Sequence, residues 1–342
     1  MSRIPESLTY STKEIADYVN SNFPTRKVKA RAIFIWIARN IQYDFDIIFD
    51  MNYYPDPAEL IEKVLKTRTG VCLHYANLFS DIANKAGIKA YIVQGYTKQH
   101  GVVDFLPHVW CAGLVDSAWY LFDPTWGSGY IMNGRFVKDL NNAYFMASPE
   151  DLIISHMPFD PLWQFLHFPV TNNEFYGRKS RINTTKPFFN FTDTLYKYEH
   201  ESEIERYISS ARRIEQNGMT NAFLAAKLRV LQGEIAYYRD KTNVEKYDSA
   251  VKLYNEGIKL LNRFISYSNN QYKPEKDSIQ VKQILDSAEC LLIKAIETIQ
   301  EIKDPLENVA AATTELTNSI RGTMRLLSDQ RASLYRYFKS KR

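Results

Sequence analysis

Apolar and polar positions alternate in two different rhythms along the 342-residue chain, and the change falls near FFNFTD (188–193). Beyond it the spacing is helical almost throughout. One stripe is Leu224, Leu228, Leu231, Ile235, Tyr238, and the next is Val251, Tyr254, Ile258, Leu261, Ile265. A third is Val281, Leu285, Ala288, Leu292, Ala295, Ile299, Ile302, and the last runs from Val309 through Leu316, Ile320 and Leu327 to Leu334. A weaker stripe, Ile204, Ile208, Ala211, precedes them. Steps of three or four residues give each helix one narrow apolar seam. Pro305 opens the final helix, where its missing N–H costs nothing. Four or five antiparallel helices burying these seams against one another are expected. Gly233, Ala250 and Tyr254 weakly suggest a tetratricopeptide hairpin, but the gap of 250 − 233 = 17 residues is long for that repeat of roughly 34 residues, so a plain bundle is the expectation.

Before residue 185 helical and strand-like runs are mixed. Ser11 or Thr12 caps a short helix through Val19, and Thr25 opens TRKVKARAIFIWIARNI, with Ile33, Trp36, Ile37 and Ile41 on one face. Residues 57–67 read as a third helix. A fourth runs from Cys72 to Lys85, with Gly87 suited to its end. Three runs rich in aromatic and β-branched residues follow: KAYIVQGYT (89–97), HVWCAGLV (108–115) and AWYLFD (118–123). Helices first and sheet second is α+β order. The expected division is therefore an α+β domain over 1–185 and an all-α helical bundle over 186–342.

Bulk properties exclude several classes. Apolar residues make up 45% of the chain, aromatics 14% and charged residues 24%, an ordinary globular composition. The net charge of +4 gives no case for nucleic acid. Cys72, Cys111 and Cys290 form no disulfide framework, so free thiols are expected. No run of 18 apolar residues exists to span a membrane, and no apolar stretch behind a basic start marks a signal peptide. A soluble protein is the expectation, cytoplasmic by default and secreted if a leader has been removed.

The candidate chemistry lies in three fragments. In TRTGVCLHYANLFSDIANKAGI (67–88), Cys72 opens a helix whose aligned N–H groups favour a thiolate, and Gly70 lets the backbone turn before it. LPHVW (106–110) sets His108 at a strand start, and WYLFDPTWGSGY (119–130) sets Asp123 at the close of the next strand. If those strands are adjacent and antiparallel, His108 and Asp123 lie side by side. A thiol, an imidazole to take its proton and a carboxylate to fix the imidazole tautomer form a nucleophilic set. The Cys72 backbone N–H supplies one oxyanion donor, and Tyr43, Tyr54 and Trp36 are candidates for the second. A lone Cys, His or Asp is usually structural; agreement of order, local context and element type separates this set from that reading.

With Gly70 and Cys72, His108 and Trp110, and Asp123 to Gly127 (D-P-T-W-G) in hand, residues 25–180 resemble the transglutaminase-like superfamily. RAIFIWIARNIQYD (31–44) and YFMASPEDLIISHMPFDPLWQFL (144–166) are similar to its kyphoscoliosis peptidase and cytokinesis-associated branch. The resemblance implies a papain-like core and acyl transfer by Cys72, His108 and Asp123, acting on a protein or peptide without cofactor or metal. No calcium motif of the animal crosslinking enzymes is visible. The expected activity is a cysteine peptidase or amidohydrolase. The alternatives are a protein-glutamine transamidase, an N-acyltransferase (against which RTGVC lacks the double Gly), and a scaffold whose helical half holds a protein partner.

Trp110 and Trp126, with nearby Tyr130, are expected to wall the substrate cleft, and His156 to help shape it. Cys111 should point away from Trp110 into the core. Cys290 falls off its seam and is expected to be exposed. His74, two residues past Cys72 and thus roughly 200° around the helix, should not reach the thiol. The segment 98–107 is read as a short loop, with no long insertion to act as a lid.

Overall fold

A computed structural model describes residues 4–44, 56–177, 182–274 and 277–340. The chain separates into two compact units, Met1–Leu231 and Gln232–Arg342.

The first unit opens with helices α1 (Thr12–Asn22) and α2 (Arg26–Asn40). The Thr25 hydroxyl accepts from the Val28 N–H and so satisfies one of the donors a helix start leaves open. A short strand β1 (Gln42–Tyr43) and helix α3 (Pro57–Thr67) follow. Strand β2 (Thr69–Gly70) runs parallel to β1 and leads directly into α4 (Cys72–Lys85). The main sheet comprises β3 (Ala90–Gln99), β4 (Val102–Val115), β5 (Ala118–Phe122) and β8 (His156–Pro158), ordered β5-β4-β3-β8 and antiparallel throughout. A separate hairpin of β6 (Gly129–Met132) and β7 (Arg135–Lys138) lies between β5 and β8 in the chain.

The helical layer and one sheet face share a core that includes Ile15, Ile33, Ile37, Phe79, Ile82, Cys111 and Phe122. Each of these Ile and Phe side chains, fully buried here, contributes about 1.5–3 kcal/mol of burial. The opposite face buries Val93, Trp110, Ala112 and Leu121 against Leu152, Leu162 and Phe165. Cys111 and Trp110 thus point to opposite faces, as strand alternation requires.

The segment 98–107 is not a loop. Strands β3 and β4 stay paired out to Gln99 and Val102, closed by a two-residue turn at His100 (φ 50°) and Gly101 (φ 79°). Positive φ at both turn residues matches the right-handed strand twist, which is why the hairpin extends so far. His108 consequently sits inside a 14-residue strand rather than at its start.

Short helices α5 (Pro149–Leu152) and α6 (Asn172–Tyr176) precede α7 (Phe191–His200) and α8 (Glu203–Gln216). Both α7 and α8 are tied to the sheet domain. Tyr91 donates to Glu199, and Arg213 grips Asp160 through Nε at 2.8 Å and Nη2 at 2.7 Å. These polar links hold α7 and α8 within the unit Met1–Leu231, which extends past the 185/186 division expected from the change of rhythm.

The boundary falls inside α9 (Ala222–Asn269), one 48-residue helix that carries both the Leu224 and the Val251 stripes. The intervening segment 239–250 is polar but holds no Pro, and Gly233 alone costs only about 1 kcal/mol. Two expected helices are therefore one. The second unit continues with α10 (Ser278–Gln300) and α11 (Glu307–Ser340). Its core is the predicted set of seams: Leu261, Val281, Leu285, Ala288, Leu292, Ala295, Ile299, Leu316, Ile320, Leu327 and Leu334 are all buried. Among the described residues no helix is long and apolar enough to cross a membrane.

Candidate active site

Cys72 is the first residue of α4, half-buried, and its N–H belongs to the group that a helix start leaves without an intrahelical acceptor. The approach is shaped by Gly70, where a Cβ would lie 2.6 Å from the His74 Cβ. His74 in turn folds back so that its Nδ1 accepts the Val71 N–H at 3.2 Å. Burial lowers the His74 pKa to about 4, so it is neutral; it supports the turn and not the thiol.

His108 projects from β4 and Asp123 follows β5, its antiparallel neighbour. His108 Nε2 lies 2.7 Å from Asp123 Oδ2, and Cys72 lies near enough to the imidazole to raise its pKa. The three expected residues therefore come together in the expected order. Asp123 is wholly buried, and its carboxylate receives four contacts: His108 and His156 at Oδ2, and the N–H groups of Thr125 and Trp126 at Oδ1. Burial alone would raise its pKa. The two imidazoles reverse that, and the carboxyl is held well below its usual range. For His108, burial favours the neutral ring, but the Asp123 charge and the Cys72 thiol outweigh it and push the pKa up to about 10. Burial pushes the Cys111 thiol the other way, well above its ordinary value.

His156 was expected in the cleft, but it is buried beneath it. Its Nε2 lies 3.1 Å from Asp123 Oδ2 and its Nδ1 lies 2.8 Å from Ser155 Oγ. Gly95 makes this possible. It sits opposite His108 in β4 and Pro158 in β8, and a Cβ there would meet the Met157 carbonyl at 2.1 Å and the Trp110 ring at 2.6 Å. With no side chain at that point, the Trp110 ring can lie edge-on to His156 at 5.2 Å. Trp110 is therefore 0% exposed and packs beneath His108 instead of walling the cleft. A His in a three-residue strand such as β8 carries no spacing signal; only its place in SHMPFDPLWQF set it apart.

A cavity of about 590 Å³ opens over His108 and is lined by Tyr43, Trp126, Tyr130, Phe136, Tyr144 and Ser155, among others. Trp126 and Tyr130 do line it, as expected. Tyr43 pairs with Gly70 across β1 and β2. Burial, then the nearby Cys72 and Asp123 charges, raise its phenol pKa, so it remains a protonated donor. Trp36, another oxyanion candidate, is instead buried in the helical core under Arg68. Tyr54 lies outside the described residues.

His108, Asp123 and His156 also present three ligand-type atoms within 4.8 Å of one another. The geometry is that of hydrogen bonds. Metal bonds of 2.0–2.1 Å in a tetrahedron would separate neighbouring ligands by about 3.3 Å, whereas His108 and Asp123 approach to 2.7 Å.

Residues 12–124 match the model of the transglutaminase-like superfamily, so the first unit contains a transglutaminase-like domain. Kyphoscoliosis peptidase of Mus musculus is 31% identical over 156 residues, covering 43% of this chain and 23% of that protein. Cytokinesis protein 3 of Saccharomyces cerevisiae is 28% identical over 115 residues, covering 31% of this chain and 13% of that protein. The chain thus spans less than a quarter of the length of either relative. Among solved structures, a TGase is 19% identical, with 42% of this chain and 36% of that chain covered at a TM-score of 0.29.

Proposed function

We propose that this chain is a thiol-dependent acyl-transfer enzyme, a cysteine peptidase or amidohydrolase, in which Cys72 attacks an amide or ester carbonyl of a protein or peptide. The observation that supports this reading best is His108, which lies 2.7 Å from the Asp123 carboxylate and has its pKa raised by both Asp123 and the neighbouring Cys72. The proton shared by Cys72 and His108 rests on His108, and the sulfur adds to the carbonyl carbon. The resulting oxyanion accepts from the Cys72 N–H and the Tyr43 hydroxyl. When the C–N bond breaks, the leaving amine takes the proton from His108 and a thioester remains. Water then gives a proton to His108 and its hydroxyl to the acyl carbon, and the thiol is restored. Asp123 keeps the imidazole oriented and its positive charge stabilised throughout.

The test is alkylation by iodoacetamide at mildly acidic pH, with the modified residue identified by mass spectrometry. Cys72 should react well before buried Cys111 and exposed Cys290, and His108→Ala should slow it at least tenfold. Equal slow reaction of all three thiols overturns the reading. Hydrolysis should dominate over transfer, because a thioester beside an open cavity meets water at far higher concentration than any amine. A Gln-containing peptide library offered with a labelled primary amine should show deamidation or cleavage without amine incorporation. Efficient incorporation dependent on Cys72 would make the protein a transamidase instead.

A further inference from the structure

The Cys72, His108 and Asp123 set leaves one buried titratable group unexplained. His156 is 1% exposed and comes from β8, the far edge of the sheet, yet its ring reaches the same carboxylate oxygen that His108 uses. We propose that His156 is a positioning residue for the acyl-transfer site, a neutral imidazole that donates its Nε2–H to Asp123 Oδ2 and is locked in that tautomer by the Ser155 hydroxyl. This inference rests on the reading of Cys72, His108 and Asp123 given above.

The hydrogen-bond inventory supports it. An ionised carboxylate accepts only, so the His156 nitrogen 3.1 Å from Asp123 must carry a proton. The other ring nitrogen, 2.8 Å from Ser155 Oγ, then either accepts the Ser155 hydroxyl or, if charged, donates to it. The surroundings favour the neutral form. The groups facing the ring are Asp123 and, more remotely, Asp104, which favour charge, and His108 together with complete burial, which oppose it. The rings of Trp110, Trp126 and Tyr144 enclose the rest. Burial prevails and lowers the His156 pKa, while the same Asp123 holds His108 protonated. Two histidines on one carboxylate oxygen thus take opposite charge states, which divides their roles. His108 exchanges protons with the reacting groups, while the neutral His156 holds the acceptor still.

The consequence is mechanical and electrostatic. The backbone N–H groups of Thr125 and Trp126 fix Oδ1 at 2.9 and 3.1 Å. The His156 bond fixes Oδ2, so the carboxylate plane cannot rotate away from His108. Ser155 lines the reaction cavity, so the arrangement extends from the cleft wall through His156 and Asp123 to His108 and the sulfur.

The experiment compares Cys72 alkylation in the whole chain across pH 4–8 for His156→Leu, His156→Gln and wild type, with thermal melting as a check on folding. The Gln amide places an N–H near the position of His Nε2. His156→Leu should slow alkylation at pH 6 about tenfold or more and move its acid limb to higher pH, because Asp123 then loses a donor and protonates sooner. His156→Gln should recover the rate to within about threefold. Equal rates in wild type and His156→Leu, or a folded Gln variant no better than Leu, would overturn the proposal. Should the Leu variant not fold, long-range proton–nitrogen NMR of the wild-type imidazoles decides. A His156 protonated only at Nε2 between pH 5 and 8 supports the proposal, and protonation at Nδ1 in that range refutes it. That spectrum reads His156 whether or not Cys72 proves reactive, so failure of the positioning role and failure of the enzymatic reading are separable.

Discussion

In the unit Gln232–Arg342, Asn243 is the one buried polar side chain among the described residues, and it is satisfied in both directions by the Lys303 backbone. In Met1–Leu231 the buried polar set includes His74, His108, Asp123, His156, Asp160, Gln164 and Asn172. Burying a charge is costly unless it is paired and hydrogen-bonded. A helical seam of Leu, Ile and Ala avoids that cost, and the second unit takes this course. The first unit accepts the cost at a few points and offsets it with dense bonding, four contacts on Asp123 alone. A stabilising core has no need of such groups, so the pair of buried histidines on Asp123 supports the chemistry proposed there. The contrast also says how each unit should fail: the first by loss of a specific bond, the second by loss of packed volume.

The largest expected effect follows from Asp123. Asp123→Asn should keep the fold and lower kcat about 10⁴-fold, since the amide can hold the wrong imidazole tautomer. It should also change the pH profile. His108 keeps its proton up to about 10 because Asp123 and Cys72 outweigh burial. A raised pKa means the imidazolium is present below that value and lost as pH rises through it. The wild-type basic limb should therefore lie near 10, and the Asn variant, left with burial and without the carboxylate, should show it well below. Turnover within a few-fold of wild type, or an unmoved basic limb, would show that another group orients His108.

Tyr43 is the next test. If its hydroxyl is the second oxyanion donor, Tyr43→Phe should lower kcat about 10²–10³-fold with KM nearly unchanged, because the bond matters most in the transition state. A change confined to KM would make Tyr43 a wall of the cavity and nothing more.

What the sequence revealed follows from which interactions are local. Each seam of the second unit is a three- or four-residue rhythm, and the third seam is buried wherever it falls in α10, completely so from Val281 to Ala295. Cys72 was legible because it opens a helix, and the approach of His108 to Asp123 because their strands were expected to be adjacent and antiparallel. The misplacements are tertiary. In the sequence Trp110 reads as a cleft wall because its aromatic character is visible, while its burial depends on Gly95 clearing space one strand away. His156 reaches Asp123 from the opposite edge of the sheet, and no spacing in the chain records that contact. Helices α7 and α8 have the helical rhythm of the second unit, yet Arg213 and Glu199 bind them to the first.

The smallest effect on the site should come from damage to the second unit. Leu285 is 0% exposed at the centre of the α10 seam, among Leu292, Ile320 and their neighbours. Leu285→Ala removes buried methyl groups and leaves a cavity that packed helices close only in part, costing about 2–5 kcal/mol. No buried ion pair or hydrogen bond is broken, so the whole loss should appear as reduced stability of that unit, read as a lower midpoint in urea. Cys72 alkylation at mildly acidic pH should stay within twofold of wild type, because the groups that set it all lie in the first unit. Slowing of Cys72 in step with the melting of the second unit would break the comparison. It would mean that the helical region sustains the site, and that the division of labour between a packed unit and a polar one is not how this protein works.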